Sequence, residues 1–222
     1  IKDDHGLANQ VFSPYHERVK LCAEAVRRAN EESGRHSIYV PNVTEGYDGL
    51  LANAHYARSV GAGGLMVSPG LSGFDSIRVL AEDTSLPMPI LFHPAFLGSF
   101  VTSPHEGISH YTLFGQIARL IGADASIFPH YGGRFSFSKE ECSSIAKGCR
   151  DSMGSFAAIW PAPGGGMKVE RVHELHQFYG NDVLYLIGGD LHRHSDDLVA
   201  NSRRFLDLVS EVPKRVGLDI GR

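Results

Sequence analysis

Lys2 and Asp4 stand two residues apart in the opening stretch Ile1-Lys2-Asp3-Asp4-His5, which reads as the end of a strand. A lysine amine so placed can react with CO2 and become an anionic carbamate, and carbamate and carboxylate together can hold a hard divalent cation. The N-terminal edge is therefore a candidate metal site. Later apolar runs also finish in reactive or unusual residues: Asn42, Ser68, His93, His130, Pro161 to Gly166, and Gly188-Gly189-Asp190. His130 reads as a loop histidine open to solvent. His192 and His194, spaced i, i+2 beside Asp190, read as ordinary polar loop residues rather than zinc ligands.

These residues need a scaffold that brings many strand ends to one place. Short apolar runs alternate with amphipathic stretches at intervals of roughly 25 to 35 residues, the mark of βα units with parallel strands. Strands are expected at 37–43, 64–68, 89–93, 125–129, 155–160 and 183–187. The first helix opens at Ser13-Pro14, carries Val19, Cys22, Ala23 and Val26 on one face, and ends near Gly34. The second buries Leu50, Leu51, Ala54 and Ala57. Further helices are expected near 74–82, 109–121, 138–148, 169–178 and 195–211, giving six βα units and one orphan helix. An open doubly wound sheet gathers its chemistry near one switch point, whereas a (β/α)8 barrel spreads it over many C-terminal strand ends. The spread seen here favours the barrel, with the stretch ending at Lys2 as a truncated strand and an earlier βα unit upstream.

Composition sets outer bounds. The 222 residues suit one domain or one large α/β barrel, and 42% hydrophobic residues with a net charge of −4 give no reason to expect a nucleic-acid partner. Cys22, Cys142 and Cys149 form no CxxC pair and fit a reducing, cytoplasmic setting better than a disulfide framework. No apolar run approaches the roughly 18 residues of a membrane span, and the start lacks the regions of a signal peptide.

The order KDD, LFHPAF, GGRF, the triple glycine Gly164-Gly165-Gly166 and the pair Gly188-Gly189 resembles the C-terminal barrel of the RuBisCO large chain, most of all the RuBisCO-like proteins, over essentially the whole sequence. The resemblance implies a (β/α)8 barrel lacking its first strand here, without the usual N-terminal α+β domain, in a protein that forms a homodimer. It makes Lys2 the carbamylated lysine and Asp4 the first carboxylate ligand of Mg2+. The third family ligand is a glutamate, and here His5 stands in its place. Two anionic oxygens and one imidazole suit Mn2+, Fe2+ or Zn2+ better than an all-oxygen set does.

The resemblance also makes His93 the histidine that assists proton transfers, a role open to a group that titrates near neutrality. Pro94 replaces the arginine that grips a second phosphate, and Ile127 replaces a phosphate-binding histidine. Arg134 stands where carboxylases place a mobile lysine against CO2, and its planar fork would bind a carboxylate or phosphate rather than copy that contact. Gly165, Gly166, Gly188 and Gly189 keep a cradle in which bare backbone N–H groups approach one phosphate, aided by a following helix N-terminus. Gly164 replaces a serine there. Asn42 and Ser68 are expected to contact substrate hydroxyls.

The expected function is metal-assisted enolisation of a singly phosphorylated keto sugar or keto acid, with an enolase, isomerase or decarboxylase outcome. Ribulose 1,5-bisphosphate carboxylation and a noncatalytic binding or regulatory role remain as alternatives at this point.

Overall fold

The computed structural model describes residues 1–103, 105–133 and 137–213. Helix α1 (Tyr15–Ser33) begins after Pro14 and stops at Gly34, whose φ of 68° is a conformation that costs glycine little. Helix α2 spans Tyr47–Ser59. Then follow β1 (Leu65–Val67), a single turn α3 (Pro69–Ser72), α4 (Phe74–Glu82) and β2 (Ile90–Phe92). The segment expected to be one helix at 109–121 is a π-helical stretch, Tyr111–Ile117, running into α5 (Ala118–Leu120). Strand β3 (Ala125–Pro129) leads to α6 (Lys139–Arg150), which opens on a full capping box: Ser138 Oγ accepts from Glu141 N at 3.1 Å while Glu141 Oε2 accepts from Ser138 N at 2.7 Å. Strand β4 (Trp160–Gly164), α7 (Val172–Tyr179), α8 (Gly189–His194) and α9 (Leu198–Glu211) complete the described chain.

Strands β1 to β4 form one parallel sheet in sequence order. Isolated parallel bridges extend it, Lys2 pairing with Val40 and Asn42 with Met66. On the other side Leu184 and Leu186 donate their N–H groups to Pro161 O and Pro163 O at 3.0 and 3.2 Å. Among the described residues, seven neighbouring parallel segments thus make the wall. Its inner face carries Val40, Met66, Leu91, Ala125, Ile127 and Ala162, with Leu186 against them, drawn from six of the seven segments and packed as one cluster. Such a layer is what fills the inside of a (β/α)8 barrel. A larger cluster, including Val43, Val67, Phe92 and Phe128, joins the outer face of the wall to the helices.

Three expected strands need correction. The strand placed at 155–160 lies at Trp160–Gly164. Pro161 and Pro163 read as turn residues in sequence, yet their missing N–H groups fall on the side facing 184–186, where only their carbonyls are used. For the same reason 183–187 is extended but receives only part of a ladder. Residues 37–43 likewise pair only at single bridges rather than as a continuous strand.

The π-helical stretch lies against α6 through glycines. A Cβ on Gly115 would come within 2.5 Å of the Gly148 Cα, and one on Gly148 would collide with Tyr111 O. Gly148→Leu is therefore expected to destabilise the protein by roughly 3 kcal/mol or more, since a rigid backbone contact cannot yield as a core side chain can; urea unfolding checks it.

Candidate active site at the barrel mouth

The C-terminal ends of the parallel segments bring together most of the residues singled out in the sequence. Asp3 continues the first segment, is only 6% exposed, and is completely engaged. Its Oδ2 accepts from Arg18 Nε at 3.1 Å and from Asn42 N at 3.0 Å, and its Oδ1 from Tyr39 Oη at 2.7 Å. Arg18 is itself fixed by the carbonyls of Ser13 and Ala8. This network holds the strand end on both sides of the residues proposed to act.

With Asp3 turned toward α1, Lys2 lies on the other side of the wall, the side of its bridge partner Val40. Lys2 is half-buried, its Nζ donating to Asp3 O at 2.8 Å. Burial pulls its pKa below the usual lysine value, a pull that Asp4 and Asp3 partly offset. A larger share of free amine results, and the free amine is the form that reacts with CO2. Asp4 is exposed and caps a single turn, His5–Leu7, through Oδ1, which accepts from Gly6 N at 2.9 Å. That bond keeps its carboxyl below the ordinary range, opposed by partial burial and helped by His5, Lys2 and His93. His5 Nδ1 lies 3.6 Å from Asp4 Oδ1.

The His5 ring stacks on His93, centroids 4.9 Å apart and 14° from parallel, so the first and fourth segments of the wall meet through two imidazoles. Burial, then the charges of His5 and Lys2, push the His93 imidazole down to about 3, and it is neutral at working pH. Asn42 is completely buried: its Nδ2 donates to His5 O at 2.8 Å, and its Oδ1 accepts from Thr44 N and Thr44 Oγ1. Thr44 Oγ1 in turn accepts from the N–H of Ser68, also buried. Asn42 and Ser68 thus tie strand ends together.

Among the described residues no group of three or more His, Cys, Asp or Glu side chains is disposed to hold a metal ion. Asp4 and His5 offer two donors, and an ammonium can add none. The donor set fits a divalent cation only when Lys2 bears a carboxylate of its own, which is what a carbamate supplies.

Across the mouth, Gly165 and Gly166 adopt φ of 78° and 104°, open to glycine alone without strain. Gly133 rests directly on Gly165 O, where a Cβ would collide. Asp190 Oδ2 accepts from Val169 N at 2.9 Å and so joins the loop after β4 to Gly188-Gly189. The helix that follows is six residues long and contains His192 and His194, the latter 3.8 Å from Glu170. Arg134 lies outside the described residues.

His130 departs from expectation: it is 1% exposed. It packs on Tyr179, whose Oη lies 3.1 Å from Nδ1, and its Nε2 is buried without a protein partner. Burial, then the charge of Arg171, lowers its pKa to about 4 from 6.5. The folded state resists a proton that the unfolded chain accepts, so this contribution to stability is complete above pH 6.5 and is lost as pH falls toward 4. Thermal melts from pH 7 to 4 are expected to show a shallower decline for His130→Phe than for the unmodified protein.

Residues 1–205 match the family described as ribulose bisphosphate carboxylase large chain, catalytic domain. The chain belongs to that family. A ribulose bisphosphate carboxylase-like protein of Rhodopseudomonas palustris is 36% identical over 205 residues, covering 92% of this chain and 54% of the relative. A 5-methylthioribulose-1-phosphate isomerase of Rhodospirillum rubrum is 33% identical over 216 residues, covering 97% and 56%. The crystal structure of a RuBisCO-like protein from Rhodopseudomonas palustris superposes with a TM-score of 0.86 at 36% identity, covering 97% of this chain and 57% of that one. A RuBisCO-like protein from Alicyclobacillus acidocaldarius gives 0.86 at 31%, covering 94% and 52%. The chain spans about half the length of the curated relatives it matches. The fold is the family's α/β barrel.

Sequence reasoning missed the anchor made by Asp3, Arg18 and Tyr39. A signal was present: Arg18 falls on the apolar stripe of α1 with Tyr15, Val19 and Ala23, all buried. A cation in such a stripe requires a buried anionic partner.

Proposed function

We propose that this protein belongs to a metal-dependent enzyme that enolises a singly phosphorylated keto sugar or keto acid, with an isomerase, enolase or decarboxylase outcome, and does not fix CO2. The observation that carries the reading is the junction of the Lys2-Asp3-Asp4-His5 turn with His93 through the stacked imidazoles, at the strand ends where barrel enzymes do chemistry. Similarity to a methylthioribulose phosphate isomerase and to 2,3-diketo-5-methylthiopentyl-1-phosphate enolases supports a substrate with one phosphate.

In this reading Asp4, His5 and the carbamate of Lys2 hold the cation, Mg2+ by family and Mn2+, Fe2+ or Zn2+ by the chemistry of His5. A divalent ion held there would supply Lewis-acid polarisation of a carbonyl, which makes the neighbouring proton easier to remove. Lys2 and His93 are the groups at hand for moving protons, and Arg134 is assigned to an anionic part of the substrate. Gly165, Gly166, Gly188 and Gly189 receive the phosphate through backbone N–H groups, and on the other side of the mouth Asn42 holds the His5 turn. The protein acts as a homodimer in the cytoplasm. Among the described residues no helix is long and apolar enough to cross a membrane.

The test is a screen of phosphorylated keto sugars and keto acids for uptake of solvent deuterium by the full-length protein, with bicarbonate and each divalent ion. Exchange into at least one compound is expected. Carbon fixation on ribulose 1,5-bisphosphate with no exchange into any monophosphate would refute the proposal.

A further inference from the structure

The loop after β3 and the glycine turn after β4 are joined through their backbones. His130 N–H donates to Gly164 O at 2.8 Å and Gly133 N–H returns to His130 O at 3.3 Å. The loop so folded sets Gly133 directly on Gly165 O. A trans peptide points its C=O and its N–H in opposite directions, and no described peptide bond is cis. With Gly165 O turned to Gly133, the N–H of the exposed Gly166 points away from the β3 loop. Among the described residues no carbonyl accepts from the N–H of Gly165 or of Gly166.

The β3 loop is itself held by α7. The Tyr131 ring meets Phe178 edge to face, centroids 4.9 Å apart, and its Oη donates to Glu174 Oε1 at 3.3 Å. Glu174 also accepts from Arg171, at 2.7 Å from Nε and 2.6 Å from Nη2. The Arg171 guanidinium lies 5.6 Å from the Tyr131 ring centroid and Lys139 Nζ 5.3 Å from it, near enough for the ring's negative face to attract a cation. A Cβ on Gly132 would stand 3.3 Å from Arg171 Nη1, so the next residue of the loop is seated on the same pair.

We infer that Tyr131 and Gly133 are positioning residues for the substrate phosphate: Tyr131, seated on Arg171 and Glu174, holds Gly133 against Gly165 O, and that contact aims the Gly166 N–H at the anion. This rests on the assignment of the glycine turn as the phosphate cradle and adds the residues that orient it. Neither Tyr131 nor Gly133 need touch the substrate. A side chain at position 133 would force Gly165 O aside, and a planar peptide that turns its oxygen turns its N–H with it. Losing the Tyr131 ring releases the same contact from the other end.

The test uses inorganic phosphate and the full-length protein. Isothermal titration is expected to show phosphate binding that weakens about tenfold in Gly133→Ala and by a similar factor in Tyr131→Ala, the loss of one hydrogen bond to a charged group. Tyr131→Phe keeps the ring against Phe178 and the two cations and should recover most of that loss. With any monophosphate that exchanges deuterium, the two Ala variants should raise KM and leave kcat within about threefold, because the contact is lost from ground and transition states alike. Thermal melts identify a variant that fails to fold, and the Tyr131 pair decides if Gly133→Ala is one. No phosphate binding by the unmodified protein, unchanged binding in a folded Ala variant, or a fall in kcat at constant KM overturns the inference. Phosphate binding with the expected losses but no exchange into any compound would remove the enolisation reading and leave the positioning role standing.

Discussion

Lys2→Met abolishes the bicarbonate-dependent part of divalent-ion binding and lowers deuterium exchange by about 1000-fold. Metal affinity should fall at least 100-fold, beyond the roughly 10- to 100-fold typical of losing a partner that only supports a ligand. The reason lies in the count of donors: Asp4 and His5 remain, and two monodentate groups on adjacent residues hold a hydrated cation poorly. The rate loss follows because a metal that polarises a carbonyl is worth several kcal/mol in the transition state. A pH dependence comes with it. Carbamate forms from the free amine, and burial lowers the Lys2 pKa, so bicarbonate-dependent binding in the unmodified protein should rise with pH and begin to do so below the range of an exposed lysine. Isothermal titration with Mn2+, with and without bicarbonate, measures both effects. Binding in Lys2→Met that still responds to bicarbonate would mean the carbamate forms elsewhere.

Arg18→Met unfolds the protein far more readily, by about 3 to 5 kcal/mol, which for a chain of this size is on the order of 10 °C in Tm. The substitution keeps much of the side-chain volume but leaves the Asp3 carboxylate inside the protein with only Tyr39 and the Asn42 N–H as partners. Removing one member of a buried pair costs more than the pair is worth, because the remaining charge has lost both water and counter-ion. Asp3→Asn in the Arg18→Met background should recover part of the loss by removing that charge. Differential scanning calorimetry on the single and double variants checks the coupling, and simple additivity would refute the assignment of Asp3 as a buried anion held by Arg18.

The large-scale plan was legible because periodicity and chemistry agreed. Apolar runs alternating with amphipathic stretches required parallel βα units, and reactive residues at many successive strand ends pointed to a barrel. The positions at which the reading slipped share a cause. Pro161 and Pro163 carry a strong turn signal, and only the neighbouring segment's hydrogen bonds explain why two prolines sit inside β4. His130 looked like a loop residue because it follows a strand, but Tyr179, forty-nine positions on, folds over it.

By itself the sequence determined which groups are available: a lysine beside two aspartates and a histidine, His93 at a later strand end, and glycines that leave backbone N–H groups bare. Their types and spacing are local properties, and local chemistry is what a linear chain records. The tertiary structure decided how those groups are used. It locked Asp3 onto Arg18 and Tyr39, left Asp4 exposed, laid His5 on His93, closed Asn42 between strand ends, and placed Ala95 N–H against His93 Nδ1. Each depends on burial and on a partner brought close by the barrel, and neither quantity exists until the strands stand side by side.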